Sequence, residues 1–154
     1  MSVEQLYQEI ILDHYREKHH SGLREPFGAE VHHVNPSCGD EVTLRVQVDG
    51  DRIADVSYDA EGCSISQAST SVMTDLVIDR GVADSMALFD EFRLMMEGQG
   101  RIEPDEDRLE DGIAFAGVAQ FPARVKCAML GWSALRDALA RAGAQLPTTS
   151  NDRE

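Results

Sequence analysis

Cysteine is scarce in these 154 residues: the chain has three, Cys38, Cys63 and Cys127. An odd number of widely spaced thiols does not make a disulfide framework, and in a chain of this size it points to metal or thiol chemistry. Cations are scarce as well. Fourteen Lys and Arg residues face 28 Asp and Glu, for a formal net charge of −14. Such a surface repels phosphate backbones, which argues against DNA or RNA binding and for a partner met through a local patch. No apolar run approaches the ~20 residues needed to cross a bilayer. The N-terminal stretch lacks a basic region followed by an apolar one, so a cytoplasmic location is expected. What is present is ordinary for a soluble globular chain. Hydrophobic residues make up 42% of it, and its length suits one domain with its own core.

The chemistry gathers at Asn35-Pro36-Ser37-Cys38-Gly39-Asp40. Pro36 holds Asn35 extended and removes a backbone donor, and Gly39 allows a sharp turn between thiol and carboxylate. Neither regular helix nor strand is expected across this stretch. By itself it also reads as a turn with an incidental buried cysteine. Together with Cys63 and Cys127, however, Cys38 and Asp40 complete a set of four ligands suited to tetrahedral Zn²⁺.

The remaining pattern predicts an α+β chain. Residues 3–18 read as a helix, with Leu6, Ile10, Ile11, His14 and Tyr15 on its inner side. His19 and His20 lie where it ends and read as basic residues at a solvated terminus rather than as metal ligands. Residues 28–34 read as a strand in which His32 and His33 point to opposite faces. Val42, Leu44, Val46 and Val48 alternate with polar residues through a second strand, 41–48. Asp49-Gly50-Asp51 is a hairpin turn leading to a third strand, 52–60, which carries Ile53, Val56 and Tyr58. This antiparallel meander needs helices to cover one face. A helix from Ser64 to about Ile78 places Cys63 at a helix N-terminus, where free backbone N–H groups stabilise a thiolate. Asp84-Ser85 is expected to cap a helix reaching about Met96, with Leu88, Phe92, Leu94, Met95 and Met96 as core contacts. Residues 97–112 read as an exposed acidic excursion, and 113–121 as an apolar, small-residue lead into Pro122. The last helix starts there and carries Val125, Met129, Trp132, Leu135 and Leu139 to Ala142-Gly143. A domain over 1–146 is expected, followed by a disordered polar tail over 147–154.

Arg124 and Cys127 are three residues apart on that helix and share a face. Zinc held by three thiolates and a carboxylate keeps a net negative charge, which a nearby guanidinium offsets. Arg124 could then also hold an incoming anionic sulfur; the plainer reading is a surface charge. Metal keeps its thiols deprotonated and nucleophilic. Cys38, on a Pro/Gly loop, is the ligand freest to leave, and would do so if a partner supplied a replacement.

Cys38-Gly39-Asp40, Gly62-Cys63-Ser64-Ile65-Ser66 and Arg124-Val125-Lys126-Cys127, in this order, resemble the SufU proteins of iron–sulfur cluster assembly, relatives of the IscU scaffolds. The resemblance runs from the Leu6-Tyr7 helix to about Leu139. It implies a three-stranded antiparallel sheet with helices packed on it. It implies a zinc site made by Cys38, Asp40, Cys63 and Cys127, with Cys38 accepting persulfide sulfur and Arg124 assisting. It implies as partner a SufS-type, PLP-dependent cysteine desulfurase, a dimer on which this chain would dock as a monomer, with further iron–sulfur assembly machinery downstream. Two other functions compete. One is a scaffold on which a [2Fe–2S] cluster is built. Scaffolds of the IscU type typically carry a histidine directly before the third cysteine, where this chain has Lys126, and they lack the acidic excursion that the SufU branch has. The other is a non-catalytic zinc module for protein interaction. The chain is too short, and with two lysines too poor in them, to be the desulfurase itself.

Overall fold

A computed structural model describes residues 2–144. The tail expected over 147–154 lies outside the described residues. The elements run α1 (Val3–Glu17), β1 (Ala29–Asn35), β2 (Asp40–Asp49), β3 (Arg52–Glu61), α2 (Ser64–Val77), α3 (Val82–Glu97), α4 (Glu106–Leu109), a 3-10 segment (Glu110–Gln120) and α5 (Pro122–Arg141). No helix among the described residues is long and apolar enough to cross a membrane.

The sheet is the expected meander, with strand order β1-β2-β3 and both pairings antiparallel. Register stacks Val31, Leu44 and Tyr58 across the three strands, and Ala29, Val46 and Val56 in the next row. All six are buried, because side chains one pleat apart share a face. A register shift at Gln47/Val48 pairs Gln47 with Asp55 and Val48 with Ile53, so Ala54 is the extra residue on β3. This bulge lets Ile53 and Val56 both turn inward although they are three apart. Gly50 supplies the left-handed position in the hairpin turn (φ 66°).

Helices cover the inner face: α5 packs on β1 and β2, and α2 packs between α1 and α5. Twelve residues of α2 are buried, among them Ser66, Gln67, Ser69, Thr70, Ser71 and Thr74. A buried polar helix is tolerated only where its hydroxyls find acceptors. Ser69 donates to the Ala128 carbonyl (2.7 Å) and Thr70 to the Ser66 carbonyl (2.8 Å). The aromatic core lies on the other side of α5. Trp132 stacks on Phe92 with centroids 4.9 Å apart, and Phe92 meets Phe115 edge-on at 5.9 Å. These rings tie α3 and the 3-10 segment to α5.

Four expectations change. Leu6 is exposed and Tyr7 is half-buried beside Ile10 and Ile11, so the inner side of α1 is rotated from the expected one. Ser2 caps that helix in a reciprocal pair with Gln5. The next difference is in α3, which starts at Val82 with Gly81 as its N-cap; Ser85 is buried one turn inside, and Asp84 pairs with Arg80 and Arg108 instead of capping. Leu94 faces solvent. Finally, the acidic excursion folds back: Leu109 and Gly112 are buried, and the 3-10 segment brings Phe115 into the core.

The α2–α5 crossing depends on Gly131. A Cβ there would lie 2.3 Å from Thr70 Oγ1. Overpacking of this kind costs about 1–3 kcal/mol, so Gly131→Ala should lower the unfolding free energy read from urea denaturation by that amount. Adding Thr70→Ala to Gly131→Ala should recover part of the loss. Additive losses in the double variant would show that the two helices do not meet there.

Candidate metal centre

The β1–β2 connection carries the first two candidate ligands. The six-residue stretch is a hairpin turn rather than a free loop: Asn35 closes β1, Asp40 opens β2, and the two are paired. Residues 36–39 make the turn, with the N–H groups of Cys38 and Gly39 both donating to the Asn35 carbonyl (3.2 and 3.0 Å). Gly39 takes the left-handed conformation (φ 72°) that the turn needs. Cys38 is therefore exposed at the tip, while Asp40 is wholly buried at the strand start.

Cys63 is the N-cap of α2 and is half-buried. Its backbone N–H donates to Asp40 Oδ1 at 2.8 Å, and its sulfur lies 3.6 Å from Asp40 Oδ2. One of the unpaired N–H groups of a helix start thus holds the carboxylate. Gly62 makes this approach possible. It sits at φ 130°, and a Cβ on it would fall 2.2 Å from Asp40 Oδ1. Cys127, buried in the second turn of α5, places its sulfur 3.1 Å from that of Cys38. Asn35 folds over it, with Nδ2 3.9 Å from Cys127 Sγ and Oδ1 accepting the Ser37 N–H at 3.3 Å.

One donor atom each from Cys38, Asp40 and Cys127 lies within 4.8 Å of the others, and Cys63 joins them through Asp40. Burial pushes the Cys127 thiol far up from its ordinary range, and Asp40, Cys38 and Cys63 push it further the same way. Three soft sulfurs and one oxygen, from four positions around one point, suit a tetrahedral borderline cation.

The NifU-like N terminal domain family matches residues 6–128. The chain belongs to this family. It is 41% identical over 150 residues to the iron–sulfur cluster assembly scaffold protein IscU of Streptococcus pyogenes serotype M1, covering 97% of this chain and 92% of that one. It is 37% identical over 141 residues to the zinc-dependent sulfurtransferase SufU of Bacillus subtilis, covering 91% of this chain and 93% of that one. A crystal structure from Fervidobacterium islandicum AW-1, described as a candidate iron–sulfur cluster assembly scaffold for the SUF system, superposes with a TM-score of 0.79 at 38% identity, covering 90% of this chain and 99% of that one. A NifU-like N-terminal protein from Brucella abortus shares the fold at TM-score 0.82 and 23% identity, over 92% of this chain and 96% of its own. The family, and its kinship with the IscU and SufU proteins of iron–sulfur cluster assembly, are those expected from the motifs.

The structure brings together Cys38, Asp40, Cys63 and Cys127, the four positions singled out in the sequence. Arg124 is on the first turn of α5 with its side chain in solvent, and no carboxylate among the described residues pairs with it. The supporting roles of three residues named in the sequence reading are absent from it. Gly62 and Asn35 are both visible there in hindsight, as a glycine against a cysteine and as an Asn-Pro turn. His14, buried and bonded to Ser71 and Asp111, gives no signal beyond its place on the inner side of a helix.

Exposure ranks the thiols: Cys38 exposed, Cys63 half-buried, Cys127 buried. In protein stripped of metal, a bulky alkylating reagent should label them in that order, with Cys127 last by at least about tenfold. Peptide mass spectrometry over a time course reads this. Labelling of Cys127 ahead of Cys38 would contradict the geometry.

Proposed function

We propose that this chain works in iron–sulfur cluster assembly as a zinc-dependent sulfurtransferase that takes persulfide sulfur from a SufS-type cysteine desulfurase. The observation that carries the reading is the unequal setting of the three thiols around one point. Cys127 and Cys63 are built into helices, whereas Cys38 alone is exposed on a turn. The Bacillus subtilis relative, named a zinc-dependent sulfurtransferase, supports it. Zinc held by Cys38, Asp40, Cys63 and Cys127 would keep these thiols deprotonated without taking part in redox chemistry.

The chain's own residues do the rest. Cys38 presents its sulfur to the partner's persulfide and attacks the terminal sulfur. A sulfur–sulfur bond forms on Cys38 as the bond in the donor breaks, and the donor cysteine leaves as a thiolate. No net oxidation or reduction occurs. Arg124, one turn before Cys127 and without a carboxylate partner among the described residues, supplies positive charge where two anionic sulfurs meet. A shallow groove of about 270 Å³, lined by Val34, Pro36, Lys126, Met129 and Ser133 among others, opens beside the Cys38 turn. Its mixed apolar and basic lining suits the segment of the desulfurase that carries the persulfide.

A second reading, the [2Fe–2S] scaffold, is favoured by the Streptococcus pyogenes relative, named a scaffold protein. The two are separated by what binds. The purified chain should contain one zinc, and after incubation with desulfurase and cysteine the added sulfur should appear on the Cys38 peptide. Cys38→Ser should abolish the added mass while the fold is kept. Arg124→Ala should keep zinc and slow transfer by roughly tenfold, the worth of one charge-assisted contact. An iron-loaded protein that takes up no sulfur mass would favour the scaffold. Sulfur on Cys63 or Cys127 with Cys38 unmodified would sink the acceptor assignment. Asp40→Ala should lose metal to a chelator that leaves the parent loaded, because the carboxylate closes the ligand set.

A further inference from the structure

The chain holds a second group of metal-ligating side chains, far from the cysteines. His14 lies on α1, His19 just beyond its end, and Asp75 near the end of α2. One nitrogen from each ring and one Asp75 oxygen lie within 4.8 Å of one another. Cys63 caps the start of α2, and Asp75 is twelve residues on, a separation of ~18 Å along the helix at its usual rise. The two groups therefore cannot share an ion.

We propose that His14, His19 and Asp75 form a separate site for a first-row divalent cation, of the two-histidine, one-carboxylate type. Several features make this a built site rather than a chance meeting of surface residues. His14 is buried; its Nε2 is held by Asp111 at 2.9 Å, and its Nδ1 meets Ser71 Oγ at 2.8 Å, a contact that an ion on Nδ1 would displace. His19 Nε2 meets Glu17 at 2.7 Å, which leaves Nδ1 facing Asp75 Oδ2 at 2.5 Å. A carboxylate on the far nitrogen of each ring is the arrangement that orients metal-bound imidazoles and raises their basicity. The backbone of His19 is pinned to α2 as well. Its N–H donates to Ser71 Oγ at 2.9 Å, and its carbonyl accepts from Thr74 Oγ1 at 3.3 Å. The two rings lie with centroids 4.6 Å apart, close enough to converge on one ion.

A divalent cation between the two rings and Asp75 would have the carboxylates of Asp75, Glu17 and Asp111 around it to offset its charge. His14 is shielded while Asp75 is exposed, so the site is open on one side. Three protein ligands leave coordination positions for water, the pattern that suits ferrous or zinc ions rather than a closed structural site.

The test uses tag-free full-length protein with its cysteine site first saturated with one equivalent of zinc, then titrated with Co²⁺ alone. The expected result is a second equivalent bound, with visible cobalt absorption but no thiolate-to-metal charge-transfer band. The imidazole resonances of His14 and His19 should broaden. His19→Gln and Asp75→Asn, both at positions where burial is incomplete, should weaken this binding at least tenfold while circular dichroism stays unchanged. Cobalt binding that is absent in the parent, or equal in the parent and both variants, would overturn the site and leave a proton-bonded contact between α1 and α2. Failure of the cysteine centre to hold zinc would show separately, as a charge-transfer band that the histidine variants retain.

Discussion

The site depends on a single hydrogen bond. Asp40 is a carboxylate with no exposure at all, and such a group is costly unless it is paired. The N–H of Cys63 satisfies one oxygen at 2.8 Å. This bond joins the β1–β2 turn to the junction of β3 and α2, which is what sets Cys38 and Cys63 beside each other. Gly62 is the steric condition for it, since any side chain there would occupy the carboxylate's place. Cys127 then arrives from α5, whose position over the sheet is fixed by packing on β1 and β2 and by close approach to α2 at Gly131.

Much of this was legible because it rests on local patterns. The alternation of Val42, Leu44 and Val46 with polar residues has only one face to bury, and the Pro and Gly around Cys38 allow little but a turn. The three thiol positions stand out because cysteine is so rare in the chain, and Asp40 because it lies two residues from one of them. What was not legible depends on tertiary choices. In α1, Val3, Leu6 and Leu12 are apolar yet exposed, so apolar residues surround the helix and periodicity cannot choose a face. In α3, Asp84 had two possible uses, and its ion pairs with Arg80 and Arg108 won over capping. The Ala54 bulge has no sequence mark.

The region between α3 and α5 illustrates a further limit. Its acidic residues suggest full solvation, and Glu106, Asp107 and Glu110 do face outward. Leu109 and Phe115 nevertheless turn into the core, and the Phe92–Phe115 contact fastens the segment. Composition reports the wet side of such a segment and is silent about the dry one. A 3-10 backbone, with three residues per turn, gives neither of the periods by which helices and strands are recognised.

The ligand set has an order in time as well as in space. Cys38, Asp40 and Cys63 leave the ribosome within one stretch of β-hairpins, but Cys127 follows 64 positions after Cys63. Domains form as units during synthesis, and an unfinished chain exposes whatever its missing elements would cover. A nascent chain that ends before α5 can offer two thiols and one carboxylate, an open and incomplete ligand set. Arrival of α5 supplies the last sulfur and the cover over the sheet together, so completion of the four-residue cluster and burial of the core fall in one step.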